Sequence, residues 1–469
     1  MTSKYTKSKS KSSAIVKTST STKKAMTEIV DPSYIPMAFQ VTIADCAANF
    51  FFHDYILDKS PESSNFFTIV PDMYRRSSPG GPLANAVTAL GLVCLANAKD
   101  VPEVLTSAQA KYTNALHAVN IRIRNPETAT TDETLAIVVL MGLYEDSMST
   151  SDSLGLWTKH VRGALALLDI RGTKQLQTPV GRKLISGIRM STIANCLIRH
   201  TSVPESMMRW SNALRSYETN VEASASALAS IFAAFCRLQE RIKMMGDDKY
   251  SRDIVLIALT IDAELDNWEI IEQSERPYTM IKADPSSKLA FNGAYHEYES
   301  VTVASLWNNY RSVRIMLHEI ILGQVEQQDD SEHAESYFAT TAPDENQIEL
   351  SKAMITTLSE EVCASVRYCL GYYLGPGDDS ASESLHPEKA ANAKLLLWPL
   401  YTAGKPISVP DATSLWISDV FEFLTRVTGV RKGASLSKTL RAWPCDADQS
   451  TSPKAHWRNL VLRTDKVGT

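Results

Sequence analysis

The sequence predicts an all-α protein, a large region of packed antiparallel helices with polar tails and loops. Apolar residues recur at spacings of three and four along most of the chain, which is the period of amphipathic helices. No strand–turn–strand signal and no fixed-period repeat stands out. With 469 residues, 44% of them hydrophobic and 22% charged, the chain can bury a sizeable core.

The N-terminal residues 1–30 read as a disordered basic tail rich in Ser, Thr and Lys. Seven lysines precede Ala25, and no acidic residue precedes Glu28. Such a composition buries too little apolar surface to fold. Nuclear import, phosphate contact and simple solubilisation all fit the lysines. We expect the helical domain to span residues 31–440 and a second tail to span 441–469.

After a break at the Ser77–Pro82 run, the helical period dominates the sequence. The predicted helices lie near 83–98, 104–124, 131–146, 154–170, 181–199, 204–217, 222–244, 250–272, 347–372, 388–401 and 412–429.

The helix near 131–146 is the best specified. Thr130 and Glu133 match a capping box, in which each side chain bonds a backbone N–H at the helix start. The interior from Leu135 to Tyr144 is apolar almost all round, so we expect a central, buried helix.

The next helix carries two further signals. Gly163 and Ala164 are small enough to let another helix approach closely. Gly172, directly after Arg171, suits a helix C-terminus with positive φ.

A long helix further on has an apolar seam and is expected to end near Gly323. Its seam alternates spacings of four and three, formed by Leu306, Tyr310, Val313, Leu317 and Ile320. Residues 326–346 follow, with seven Asp or Glu and no Lys or Arg, and are read as a disordered acidic loop.

The usual catalytic and metal-binding motifs are missing from the sequence. It has no H-E-x-x-H, no G-x-S-x-G, no phosphate-binding loop and no dinucleotide fingerprint, so no catalytic, cofactor or metal residue is assigned. The seven scattered cysteines favour a reducing compartment. The formal charge of −5 gives no overall bias toward nucleic acid, and no apolar run suggests a membrane span.

Four pairs of stretches, in order along residues 40–440, resemble the fungal-specific transcription factor domain, the regulatory region of fungal zinc-cluster factors. They are 131–135 (TDETL) with 143–145 (LYE), 157–164 (WTKHVRGA) with 171–172 (RG), 307–314 (WNNYRSVR) with 317–319 (LHE), and 363–366 (CASV) with 397–400 (LWPL).

The sequence departs from that family in one respect, the zinc cluster. Members of that family begin with six clustered cysteines that hold two zinc ions, whereas here only Cys46 lies in the first 90 residues. Two interpretations fit this departure: a separate protein without the cluster, or a mispredicted gene start that leaves an upstream zinc-cluster exon out of this sequence. For the sequence as given, the resemblance implies a nuclear regulator that acts through protein–protein contacts, with a small-molecule effector as an option and the cytoplasm as an alternative location. Its partners would be other regulators or co-regulators, in a homo- or heterodimer, without direct sequence-specific DNA binding by this chain.

Three cationic residues on one helical face, Arg311, Arg314 and His318, are the candidate effector or partner face. The alternative interpretation is that they form ion pairs to neighbouring helices. A lone His160 beside Trp157 is read as a packed, hydrogen-bonded histidine rather than a ligand.

The alternative function is a helical small-molecule-binding protein or an enzyme resembling terpene cyclases. Those enzymes hold magnesium with clustered aspartates on helices. Asp247 and Asp248 form such a pair, but the third aspartate is misplaced at Asp253. The partner pattern begins at Asn308 and Ser312 and fails at Met316.

Overall fold

A computed structural model describes residues 42–55, 66–148, 153–245, 251–283, 287, 289–329, 345–371, 389–406, 408–428 and 431–442. The described residues from Ile43 onward belong to one compact unit. They are almost entirely helical, which confirms the predicted all-α class.

Nine α-helices make up the N-terminal part of the described chain. They are α1 (Ile43–Tyr55), α2 (Val70–Arg76), α3 (Pro82–Lys99), α4 (Leu105–Arg124), α5 (Pro126–Ala129), α6 (Asp132–Met148), α7 (Ser153–Arg171), α8 (Pro179–Arg199) and α9 (Glu205–Leu214).

Seven more α-helices and one hairpin follow in the described chain. They are α10 (Asn220–Met245), α11 (Arg252–Glu275), β1 (Thr279–Lys282), β2 (Ala294–Glu297), α12 (Val301–Asp329), α13 (Glu345–Cys369), α14 (Lys389–Gly404), α15 (Asp411–Thr428) and α16 (Arg431–Arg441).

Each predicted helix is present, and four further α-helices of the described chain, α1, α2, α5 and α16, were not predicted. Of these, α1 packs closely on α3. A Cβ at Gly91 of α3 would lie 2.2 Å from the carbonyl oxygen of Ala47 in α1. The two backbones touch there because Gly91 has no side chain.

The antiparallel hairpin contradicts the expectation that no strand–turn–strand unit occurs. β1 and β2 pair with Thr279 opposite Glu297 and Lys282 opposite Ala294. Asn292 and Gly293, just before β2, both have positive φ. This Asn-Gly pair forms a tight turn between the bridged residues Phe291 and Ala294, so the sequence did contain a local cue for a turn next to β2.

The capping box at Thr130 and Glu133 is also wrong. α6 begins one residue later, and Thr131 caps it by accepting a hydrogen bond from the Thr134 backbone N–H at 3.3 Å. Thr130 instead donates to the Pro126 carbonyl, and Glu133 pairs with Arg122 at 2.9 Å. The interior of α6 is buried as expected, with Leu135 and Ile137 fully enclosed.

α12 does not end at Gly323 but continues to Asp329. Gln324 and Val325, just past the glycine, are still buried, and Gln324 Oε1 accepts a hydrogen bond from the Ser251 N–H at 2.9 Å. These contacts outweigh the low helix propensity of one glycine. α7 does end at Arg171, and Gly172 has φ +67°.

The buried apolar side chains form two clusters. The N-terminal core draws on α1–α4 and α6–α9, and the C-terminal core draws on α10–α16 and the hairpin. α8 belongs to both, since Leu184 lies in the first cluster and Ile193 in the second. By length and composition alone, α10 could cross a membrane, and half of its apolar window is buried inside the fold.

The predicted domain limits 1–30, 31–440 and 441–469 stay predictions, because residues 1–41 and 443–469 lie outside the described residues. The same holds for residues 330–344 of the predicted acidic loop. Both ends of the predicted acidic loop 326–346 are helical instead: residues 326–329 belong to α12, and α13 begins at Glu345.

Candidate functional site

The candidate site lies along α12, in the middle of the C-terminal core. The predicted face is formed by Arg311, Arg314 and His318, whose exposed fractions are 0%, 3% and 4%. Since a buried charge is costly unless it is paired, the partners of these three side chains decide what the site can do.

Arg311 is held by α13, the hairpin region and its own helix. Its Nε donates to Glu361 Oε2 at 2.9 Å, and its Nη1 donates to the Tyr298 hydroxyl at 2.8 Å and to Asn308 Oδ1 at 3.1 Å. The guanidinium carbon also lies 4.9 Å from the centre of the Tyr278 ring, a cation–π contact. Burial alone would lower the pKa of Arg311, but Tyr298 and Glu361 raise it, so the side chain stays charged.

Arg314 points to the opposite neighbour, α11. Its Nε donates to Asp262 Oδ1 at 2.7 Å and its Nη1 to Glu269 Oε2 at 3.0 Å, while Nη2 pairs with Asp266. The three carboxylates are spaced by four and three residues, so they share one face of α11. The Tyr310 hydroxyl donates to Glu269 at 2.5 Å.

His318 links α12 to both neighbours. Its Nδ1 lies 3.0 Å from the Ser351 hydroxyl of α13, and its Nε2 lies 3.3 Å from Asp262 Oδ1. Burial raises the pKa of Asp262, but the contacts with His318 and Arg314 outweigh it, and the net pKa is lowered. Asp262 is therefore a carboxylate that Arg314 and His318 share.

The structure thus brings the three predicted residues together with internal partners. The ion pairs to neighbouring helices, which were the alternative interpretation, are present, while the role as an effector or partner face stays a prediction. Sequence reasoning did not find the partner residues. The spacing of Asp262, Asp266 and Glu269 was the available signal, whereas nothing local marks Glu361.

His160 lies in a second polar cluster, within the N-terminal core. Its Nε2 is 3.0 Å from the hydroxyl of Tyr112, whose ring stacks on Tyr144 with centroids 4.3 Å apart. Burial lowers the pKa of His160 to about 4, so the imidazole is neutral at physiological pH. This is the packed, hydrogen-bonded histidine that the sequence favoured.

The structure describes only some of the residues on which the terpene-cyclase alternative depends. Asp247 and Asp248 lie outside the described residues. Asn308 donates to Ser365 Oγ at 2.8 Å and so joins α12 to α13, whereas Ser312 donates to the Asn308 carbonyl within α12. Among the described residues, no group of three or more His, Cys, Asp and Glu side chains could hold a metal ion.

Comparison with known proteins gives one informative similarity. The chain is 21% identical over 412 residues to transcription factor dbaG of Emericella nidulans, an alignment that covers 85% of this chain and 92% of the relative. No family model and no solved structure matches the chain. The similarity supports a fungal transcription-factor-like protein.

Proposed function

We propose that this protein is a nuclear transcription regulator of the fungal-specific transcription factor domain type, acting through protein–protein contacts rather than as an enzyme. The observation that carries the proposal is the similarity to a transcription factor along 92% of that relative's length. The all-helical architecture supports it, because helical faces are common surfaces for partner recognition.

Promoter contact in this proposal is made through a partner regulator. Residues 1–90 contain one cysteine, Cys46, so that stretch by itself supplies too few thiolates for a two-zinc cluster. The partner would supply the base contacts, and this chain would supply the surface that recruits or blocks further proteins.

The network around Arg311, Arg314 and His318 is the proposed site of effector control. It ties α12 to α11 on one side and to α13 on the other. A ligand that competes for one of these carboxylates would favour a different helix packing, and the populations would shift by its differential affinity.

The test is a tethering experiment with the full chain. The chain is fused to a heterologous DNA-binding domain and expressed in fungal cells that carry a reporter with matching sites. We expect reporter output to rise or fall relative to the DNA-binding domain alone at equal nuclear abundance. An unchanged reporter, with the fusion intact and nuclear, would contradict the proposed function.

A further inference from the structure

Helix α11 has two opposite faces with the same spacing. The inner face is buried between α10 and α12 and repeats at spacings of four and three. It consists of Ile254, Ala258, Ile261, Leu265, Trp268 and Glu272.

The outer face repeats the same spacing but is open to solvent. We call it the outer seam, and it consists of Leu256, Thr260, Ala263, Asn267, Ile270 and Ser274, all of them exposed.

The outer seam is an uncharged helix face with a large exposed apolar residue toward each end. It holds no charged residue from Leu256 to Ser274, about five helical turns, and exposed Arg252 lies one turn before its start. Leu256 is 52% exposed, Ile270 is 70% exposed, and Ile271 beside the seam is 49% exposed. An outward helix face is ordinarily charged, and clustered exposed apolar residues often mark a binding site.

Carboxylates border the outer seam on both sides. Asp266 lies on one side, and Glu264 and Glu275 lie on the other, as the helical spacing requires. Asp266 pairs with Arg314, and Glu275 pairs with Arg276 at 3.0 Å. α11 as a whole carries seven Asp or Glu and a single Arg, so the helix keeps a negative surplus.

We propose that the outer seam of α11 docks an amphipathic helix of a partner protein whose apolar stripe is flanked by Lys and Arg. The seam would receive the apolar stripe, as in helix-to-helix recognition, and the acidic borders would meet the flanking cations. Charge complementarity of this kind selects the partner and speeds association.

Two other occupants fit less well. A second copy of α11, related by a twofold axis, would set acidic borders against acidic borders, with Glu264 near Glu264 of the other copy. The chain's own basic tail has a single short apolar cluster, 14–16, which is too short to fill five turns. The charge pattern therefore favours a separate basic helix.

The test uses the full chain and two synthetic peptides of about three heptads each, with Leu at the a and d positions. One peptide carries Lys at the e and g positions and the other carries Glu. Fluorescence anisotropy measures binding of each labelled peptide. We expect the Lys peptide to bind and the Glu peptide to fail, with affinity falling as salt is raised.

Two matched variants locate the binding. Ile270→Lys places a charge in the seam, whereas Ile170→Lys places the same charge on α7, where Ile170 is 65% exposed. We expect Ile270→Lys to weaken Lys-peptide binding by about tenfold or more and Ile170→Lys to leave it unchanged. Equal effects of the two variants, or equal binding of the two peptides, would overturn the proposal.

Self-association is the remaining outcome. A dimer seen in sedimentation of the full chain and removed by Ile270→Lys would also overturn the proposal, because the seam would then serve a second copy. The inference rests on the proposed function, but the two can fail separately. The reporter tests regulation by the whole chain, whereas the peptides test only this face of α11.

Discussion

The two central helices, α6 in the N-terminal core and α12 in the C-terminal core, are buried by different means. The middle of α6 is apolar and buried, and its buried polar groups, such as Thr134 and Glu145, lie near its two ends. α12 carries fully buried Arg311 and nearly buried Arg314 in its middle, each with carboxylate partners on a neighbouring helix.

The difference lies in how specific each packing is. Apolar burial is non-directional, so α6 tolerates small shifts of its neighbours. A buried guanidinium must keep its particular partners, because an unpaired charge in the core costs several kcal/mol. The packing around α12 is therefore the more specific of the two, since each guanidinium requires particular partners.

The largest expected effect comes from breaking that arrangement with Arg311→Met. The methionine fills much of the volume, but Tyr298 and Asn308 lose the guanidinium donor. Glu361 loses it too and keeps, among the described residues, only the Tyr278 hydroxyl as a donor. We expect a loss of about 3–5 kcal/mol in the free energy of unfolding, measured by urea denaturation.

The control is the double variant Arg311→Met with Glu361→Gln, which removes the unpaired charge. It should recover part of the loss, whereas adding Glu361→Gln to Leu135→Ala in α6 should recover nothing. If Arg311→Met were as stable as wild type, the contrast between the two helices would be lost.

A smaller effect is expected in the pH dependence of the free energy of unfolding, through His160 of the N-terminal core. Burial holds the pKa of His160 near 4, below its ordinary value of 6.5. Because this histidine has the higher pKa in the unfolded chain, acidification protonates it there before it protonates the folded chain. The folded state therefore has its full stability above pH 6.5 and loses stability as the pH falls toward 4. After allowance for partial exposure, we expect His160 to account for about 2 kcal/mol of that loss.

The measurement is urea denaturation between pH 7 and pH 4 for wild type and His160→Gln. The variant should show a shallower loss of stability on acidification. Part of the slope should remain, because burial also lowers the pKa of His296, next to the C-terminal polar network, to about 3. Identical slopes for the two proteins would refute a neutral, buried His160.

The long helices were predictable because their apolar period is set by burial on one face, as in α3 and α8. The hairpin was overlooked because its strands have four residues each, too few for an alternating pattern to stand out. The end of α12 was misplaced because buried Gln324 and Val325 extend the helix past Gly323, and those contacts are made by distant parts of the chain.

The candidate site was predictable only in part, for the same reason. Arg311, Arg314 and His318 share a helix face, which the sequence displays directly. Their partners come from α11 and α13, and Arg311 is 50 residues from Glu361. Which carboxylate meets which cation depends on how the helices pack, and no local spacing encodes that.

The smallest predicted effect separates two adjacent threonines at the start of α6. Thr131 Oγ1 accepts hydrogen bonds from the Thr134 N–H at 3.3 Å and from Arg122 Nη2 at 3.1 Å, so Thr131→Ala should cost about 1 kcal/mol. Thr130 makes only a surface bond to the Pro126 carbonyl, so Thr130→Ala should change stability by less than about 0.5 kcal/mol. Thermal denaturation of the two variants side by side measures the difference. A larger loss for Thr130→Ala would restore the capping box that the sequence suggested and would move the start of the helix by one residue.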